Sequence, residues 1–247
     1  MTSLEKYFQK FREQVIGTGQ YFNSPYGEKE VIYTDWTASG RLYKEIEERL
    51  TDDFGPFVAN THTETSFTGA VMTQAYHKAK DIIKKHVNAS ESDVLIMEGS
   101  GMTGVVNKFQ RILGLRVPEM LQDYTDIPKE IKPIVLISHM EHHSNQTSWL
   151  ETIADVEIIP YDKNGLIDYD AIQTLLDKYP NRSLKIISIT ACSNVTGIRT
   201  DYHRIAKIAH KNNGLCFVDF ACSAPYVNID MHPDNHGYLD ANFFLTT

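Results

Sequence analysis

Short apolar runs alternate with amphipathic stretches along most of the chain, and this alternation predicts strands that alternate with helices. The predicted strands are residues 31–35, 94–97, 134–138, 156–159, 184–190, 215–219 and 241–245. The predicted helices are residues 3–16, 41–53, 67–87, 102–114, 144–152, 168–179 and 201–212. Because strands separated by helices pair in parallel, we predict an α/β fold built on a doubly wound, mainly parallel sheet.

Two stretches depart from this pattern. Residues 1–30 are predicted to be an N-terminal helical arm, since the amphipathic helix is followed by Gly17 and Gly19. Residues 116–132 have no periodicity and contain two prolines, which indicates a loop. Residues 31–247 are therefore interpreted as one large domain.

Composition narrows the function classes. The 247 residues include 24 Lys and Arg against 32 Asp and Glu, so the formal charge is -8 and no basic footprint for nucleic acid or an anionic membrane is expected. Three cysteines without CxxC spacing argue against a disulfide framework or a zinc knuckle. With no apolar run of membrane-spanning length, a cytoplasmic protein is expected.

The apolar run at residues 215–219 ends on the carboxylate of Asp219. Ligands of open α/β sheets bind at the carboxyl ends of the strands, so Asp219 is a candidate ligand contact. The alternative is that Asp219 caps the following turn.

A glycine-rich segment, residues 98–104, follows a predicted strand and opens a predicted helix. Backbone N–H groups and two hydroxyls converge there on the positive end of a helix, which suits a phosphate group. The segment matches neither a Walker A motif nor G-x-G-x-x-G, so a simple strand-to-helix turn remains the alternative.

Two further strand ends carry polar side chains. His139, His142 and His143 suggest a metal at first sight, but adjacent histidines point in different directions, and an imidazole stacked on a flat ligand fits better. Residues 190–197 offer the amide of Asn194, or else a plain turn. Cys192 and Cys222 are candidate nucleophiles, although inert thiols are the commoner case.

Taken in order, six segments resemble the class V aminotransferases, which are pyridoxal-phosphate enzymes of fold type I, with cysteine desulfurases the most similar group. The segments are residues 31–35, 60–62, 101–103, 141–145 with Trp149, 193–197 and 218–221. The resemblance implies a three-layer α/β/α large domain that binds pyridoxal 5'-phosphate.

Site residues follow from the resemblance one position at a time. Those assigned to the cofactor are Gly101, Met102, Thr103, His142, Asn194, Asp219 and Thr246. The resemblance implies that residues 101–103 hold the phosphate and that His142 stacks on the pyridine ring. It also implies that Asn194 lies near the phenolic oxygen and that Asp219 pairs with the protonated ring nitrogen, which lets the ring accept carbanion electrons.

The resemblance also implies that Ala38, Ser39 and His62 lie on the substrate side of the site. It departs at Cys222, where the family usually has a glutamine near the phenolic oxygen. Thr246 matches a phosphate-binding hydroxyl, and the family's Schiff-base lysine is expected just beyond Thr247. We therefore expect the N-terminal portion of a longer enzyme, with an incomplete large domain, no small C-terminal domain and no activity alone.

The parent enzyme is expected to act on an amino acid through an external aldimine, as cysteine desulfurases do. Within the family a β-lyase, a kynureninase-like enzyme or a transaminase is the alternative. Outside it, the same strand ends suit a non-catalytic Rossmann-like module for a nucleotide or a partner protein. The resemblance further implies a homodimer. From charge, hydropathy and histidine spacing, we expect no bound metal, no nucleic-acid partner and no membrane partner.

Overall fold

A computed structural model of the chain describes residues 2–244, which form two compact units, one ending at Ile83 and the other beginning at Lys84. The helices are α1 (Ser3–Arg12), α2 (Lys44–Arg49), α3 (Phe67–His86), α4 (Gly101–Ile112), α5 (His143–Leu150), α6 (Tyr169–Asp177) and α7 (Tyr202–Lys211). The strands are β1 (Tyr21–Ser24), β2 (Gly27–Glu30), β3 (Ile134–Ile137), β4 (Asp155–Ile158), β5 (Lys185–Thr190), β6 (Leu215–Asp219) and β7 (Ala241–Phe243).

A five-stranded sheet organises the second unit. Its strand order is β4-β3-β5-β6-β7 and all four pairings are parallel. The register sets Thr190 opposite Asp219, and Asp219 opposite Phe243. The carboxyl ends of the five strands consequently lie along one edge, as expected for a parallel sheet with helical crossovers.

Two apolar layers cover the faces of this sheet. Val106 of α4 and Trp149 of α5 pack with Phe217 on one face. On the other face, Ile172 of α6 and Ile205 of α7 pack with other sheet residues. Neighbouring positions on β6 contribute to opposite layers because side chains alternate along a strand. The predicted α/β/α arrangement with a parallel sheet is confirmed.

Most predicted elements of this unit occur within a few residues of their expected limits. The predicted strand 94–97 is wrong, because no backbone pairing is found there and Val94 is 83% exposed. An apolar run becomes a strand only where a neighbouring strand completes its hydrogen bonds. The 116–132 loop contains a short 3-10 helix, Glu119–Tyr124. Part of the predicted strand 241–245 lies outside the described residues.

The first unit differs more from the sequence prediction. The predicted strand 31–35 is wrong, since Ile32 is exposed and no strand pairing is found for the segment within the described chain, although the Val31 N–H donates to the Gln20 carbonyl oxygen at 2.8 Å. Instead, β1 and β2 form an antiparallel hairpin, closed by a turn in which Gly27 has a φ of 92°. The Pro25-Tyr26-Gly27 sequence was the available turn signal. The predicted 1–30 arm therefore contains a hairpin, and its limit does not coincide with the break after Ile83.

Helices in this unit agree better. Helix α1 begins with a capping box between Thr2 and Glu5, and α3 lies within one residue of its prediction. Helix α2 is followed by a π-helical turn, Leu50–Phe54, and a 3-10 turn, Gly55–Phe57. No helix within residues 2–244 has both the length and the apolar content needed to cross a bilayer.

Candidate functional site

Helix α4 starts with a tight turn at the glycine-rich segment. Ser100 and Gly101 both have left-handed backbone angles, with φ of 66° and 63°. A Cβ atom at Gly104 would lie 2.2 Å from the carbonyl oxygen of Gly99. The turn therefore folds closely onto the first helical turn, whose N–H groups lack intrahelical partners. Thr103 is exposed on that turn, so its hydroxyl is accessible to a bound anion.

We expect Gly104→Ala to weaken phosphate-dependent ligand binding roughly three- to tenfold, because the added methyl group forces the Gly99 carbonyl away and opens the turn. Gly99→Ala is the matched control, since a Cβ there meets nothing within 4 Å. Titration of both variants with pyridoxal 5'-phosphate measures the difference. Equal affinities would show that the turn does not hold the phosphate.

The second contribution comes from the loop between β3 and α5. His142 is the N-cap of α5, and its Nδ1 accepts a hydrogen bond from the Ser144 backbone N–H at 3.2 Å. The same nitrogen lies 2.8 Å from the Ser144 hydroxyl, which is also 3.5 Å from the sulfur of Met102. These contacts fix the exposed His142 ring and join the starts of α4 and α5.

The Asp219 carboxylate ends β6 with only 3% of the residue exposed. Its Oδ1 accepts a hydrogen bond from the Ala221 backbone N–H at 2.8 Å, and no cationic side chain within residues 2–244 pairs with it. Burial raises the pKa of Asp219 to about 6, although the Ala221 hydrogen bond opposes this shift. A buried carboxylate without a countercharge is suited to a cationic ligand group.

A second carboxylate, that of the half-buried Glu141, lies near Asp219. Its Oε1 accepts hydrogen bonds from the Ser138 hydroxyl at 2.5 Å and the Thr190 backbone N–H at 3.0 Å. Its Oε2 accepts one from the Asn145 amide at 2.6 Å. Burial, and then the negative charge of Asp219, raise the pKa of Glu141 to about 7 against those hydrogen bonds. The segment containing Glu141 was recognised in the sequence, but its burial could not be read there.

Behind Glu141 a buried polar network crosses to the centre of the sheet. Oδ1 of Asn145 accepts hydrogen bonds from the Trp149 indole at 3.0 Å and the Ser188 hydroxyl at 2.9 Å. Asn145, Trp149 and Ser188 are all at most 1% exposed. The i, i+4 spacing of Glu141, Asn145 and Trp149 was the sequence signal for this network.

The turn after β5 is ordered by its own hydrogen bonds. The Ser193 hydroxyl accepts from the backbone N–H groups of Val195 and Thr196 at 3.3 and 3.2 Å. Asn194 is exposed on this turn. Its assignment to the cofactor stays a prediction.

The Cys222 thiol at this edge of the sheet is a poor nucleophile. The sulfur of Cys222 lies 2.9 Å from the carbonyl oxygen of Cys192. Burial, together with the neighbouring Cys192 thiol, raises the pKa of Cys222 to about 11. The thiol is consequently protonated at neutral pH, which agrees with the inert alternative.

The substrate-side candidates all belong to the first unit. Ala38, Ser39 and His62 are exposed there. The Ser39 hydroxyl lies 2.5 Å from the Tyr33 hydroxyl, and the backbone N–H of His62 donates to Asn60 Oδ1 at 3.1 Å. Their role stays a prediction. Thr246 lies outside the described residues.

Histidines near the sheet edge do not gather around a common point. His139 Nε2 lies 3.0 Å from the Gly165 carbonyl oxygen, whereas His142 is turned to Ser144. Across residues 2–244, no three His, Cys, Asp or Glu side chains are grouped as metal ligands.

The chemistry of these donors fits pyridoxal 5'-phosphate. The glycine turn before α4 suits an anion, whereas the uncompensated carboxylate of Asp219 suits a protonated ring nitrogen. The exposed imidazole of His142 is an aromatic ring of the kind that stacks on a flat ligand. The polarities thus match the two ends of the cofactor.

Comparison with protein families and sequences agrees with the geometry. The profile of the family Aminotransferase class-V matches residues 32–235. A probable cysteine desulfurase of Halalkalibacterium halodurans is 27% identical over 205 residues, which are 81% of this chain and 47% of that protein. One from Staphylococcus epidermidis is 27% identical over 220 residues, 87% of this chain and 48% of that protein.

Solved structures share the fold. The apo cysteine desulfurase of Thermococcus onnurineus NA1 superposes with a TM-score of 0.68 at 19% identity, over 90% of this chain and 50% of that one. The cysteine desulfurase CsdA of Escherichia coli gives 0.63 at 21% identity with the same coverage. The chain thus spans about half the length of the relatives that it matches.

Proposed function

Because the chain belongs to the class-V aminotransferase family, we propose that its sheet edge binds pyridoxal 5'-phosphate and that the whole protein acts on an amino acid, as a cysteine desulfurase does. The observation that carries this proposal is the buried carboxylate of Asp219 at the end of β6, which no cationic side chain among residues 2–244 compensates. The family match and the named relatives support it.

Different residues would bind different parts of the cofactor. The start of α4, with Gly101, Met102 and Thr103, would hold the phosphate through backbone N–H groups and a hydroxyl. His142 would cover one face of the ring, and Asn194 would orient the phenolic oxygen. When bound, the cofactor supplies an electron sink for carbanion chemistry at the amino acid.

Asp219 has the electrostatic role. Its carboxylate would hold a proton on the ring nitrogen, because the buried ion pair is favourable only when both partners are charged. Because Asp219 is only 3% exposed, little water would reach this contact, which would strengthen it.

The reaction and the oligomeric state are part of the same proposal. Desulfuration of cysteine is preferred over β-lyase, kynureninase-like or transaminase chemistry because both sequence relatives are described as probable cysteine desulfurases. A homodimer is proposed by family analogy alone.

Cofactor binding tests the proposal directly. Purified protein of this sequence is titrated with pyridoxal 5'-phosphate, while cofactor absorbance and tryptophan fluorescence are followed, and then with pyridoxal, NAD and ATP. We expect saturable binding of pyridoxal 5'-phosphate, competition by inorganic phosphate and weaker binding of pyridoxal. Binding of NAD or ATP without binding of pyridoxal 5'-phosphate would instead support a nucleotide-binding module.

A further inference from the structure

Glu141 connects three separate parts of the sheet edge. It accepts hydrogen bonds from Ser138 after β3, from Asn145 on α5 and from the backbone of Thr190 on β5. Thr190 pairs with Asp219 in the strand register. Glu141 is therefore the link between the loop that carries His142 and the strand end beside Asp219.

The negative charge of Asp219 also acts on the protonation of Glu141. Asp219 is buried and Glu141 is half-buried, and the charge of Asp219 disfavours ionisation of Glu141. The titratable groups on the same loop are His139, His142 and His143, of which the first two have polar contacts elsewhere. No cation within residues 2–244 forms an ion pair with either carboxylate, so their two negative charges are poorly compensated.

We propose that Glu141 is a positioning residue of this site, and that in the ligand-free protein it shares with Asp219 one proton that is released when a cationic group binds at Asp219. The identity of that cation, the protonated ring nitrogen, rests on the proposed function. The proton of the pair leaves to water as the positive charge arrives, so the charge of the site is unchanged.

The hydrogen bonds around Glu141 accommodate both protonation states. An ionised Glu141 accepts from all three donors, whereas a protonated one can donate from Oε1 to the Ser138 oxygen and still accept from Asn145. The hydroxyl of Ser138 can reverse its direction because it is a rotor. The network therefore holds Glu141 in place whether or not the proton is present.

Trp149 provides a readout that needs no cofactor. Its indole N–H donates to Asn145, whose amide donates to Glu141, so ionisation of Glu141 alters the polarisation of that indole. The exposed Trp36 is the internal reference for an indole NMR signal. In ligand-free protein we expect the Trp149 signal to titrate with a midpoint near neutral pH.

Variants decide whether Glu141 is the titrating group. Glu141→Gln should abolish the transition, whereas Glu130→Gln, at an exposed position, should leave it unchanged. If Glu141→Gln fails to fold, two other variants identify the titrating group. Asp219→Asn should lower the midpoint by removing a negative charge, and Ser138→Ala should raise it by removing a donor to the ionised form. A midpoint that moves in neither variant would overturn the proposal, as would a transition that persists in Glu141→Gln.

Addition of pyridoxal 5'-phosphate tests the shared proton. Bound ligand should lower the Trp149 midpoint by one pH unit or more, because a cation beside Asp219 favours ionisation of Glu141. Binding without a shift of the midpoint would overturn the shared proton. Absence of binding would instead contradict the proposed function, whereas the ligand-free titration would still decide the role of Glu141.

Discussion

Asp219→Asn is expected to weaken binding of pyridoxal 5'-phosphate by roughly 10- to 100-fold, the factor that corresponds to a lost charge-assisted hydrogen bond of about 1.5–3 kcal/mol. The amide is nearly the same size as the carboxylate, so packing around this 3% exposed residue is kept. What changes is the charge that would keep the ring nitrogen protonated. Equilibrium titration followed by cofactor absorbance measures the effect.

The same substitution carries an internal check on its cause. Asparagine relieves the burial of an uncompensated carboxylate, so the ligand-free protein should be at least as stable as the original at pH 8. Asp234→Asn, on the exposed segment before β7, is the matched control and should bind normally. If Asp219→Asn bound the cofactor as tightly as the original chain, the ion pair at the ring nitrogen would be ruled out.

Asn145→Ala is expected to lower the free energy of unfolding by about 3 kcal/mol, because a buried hydrogen-bonding network loses its central member. The Trp149 indole N–H and the Ser188 hydroxyl would both lose their acceptor, and Glu141 would lose a donor. The deleted amide also leaves a cavity in a site that is completely buried. Urea unfolding followed by tryptophan fluorescence measures the loss.

Two controls separate the network from ordinary truncation. Asn107→Ala removes one hydrogen bond, 2.7 Å from Nδ2 to the Thr103 carbonyl, on a less buried helix position and should cost below about 1 kcal/mol. Ser188→Ala removes a donor but leaves Asn145 bonded to Trp149, so its cost should lie between the two. Equal losses for all three variants would contradict a central role for Asn145.

Stability should also depend on pH in a direction opposite to that of ordinary ion-paired acids. The pKa values of Glu141 and Asp219 are raised from 4.5 and 3.8 to about 7 and about 6, so their neutral forms favour the folded state. Their contribution to stability is full below pH 4 and is lost as the pH rises through 6 and 7. Urea midpoints of the ligand-free protein should therefore fall between pH 5 and pH 8.

The attribution of that trend is testable. Glu141→Gln should flatten the dependence of stability on pH. Its new NH2 group would face another donor, either the Asn145 amide or the Thr190 N–H, and this would lower stability at every pH. A urea midpoint that rises from pH 5 to pH 8 in the original chain would contradict the raised pKa values.

Several features of the fold could be predicted from local pattern. Periodicity located helices α3 to α7 and strands β3 to β6 within a few residues, because a buried face imposes its spacing on the sequence. Residues 31–35 and 94–97 had the same apolar character without becoming strands. Whether a run pairs depends on a neighbour that is remote in sequence, and local pattern does not contain that information.

The candidate site divides in the same way. The sequence alone determined which residue types stand at the helix starts and strand ends, from the glycines before α4 to His142 and Asp219, because turns and termini leave local signatures. Only the tertiary structure decided that Glu141 is half-buried near Asp219 and that Asn145 reaches Ser188. Burial and the approach of two charges depend on how distant strands pack, and packing sets the dielectric environment that shifts a pKa.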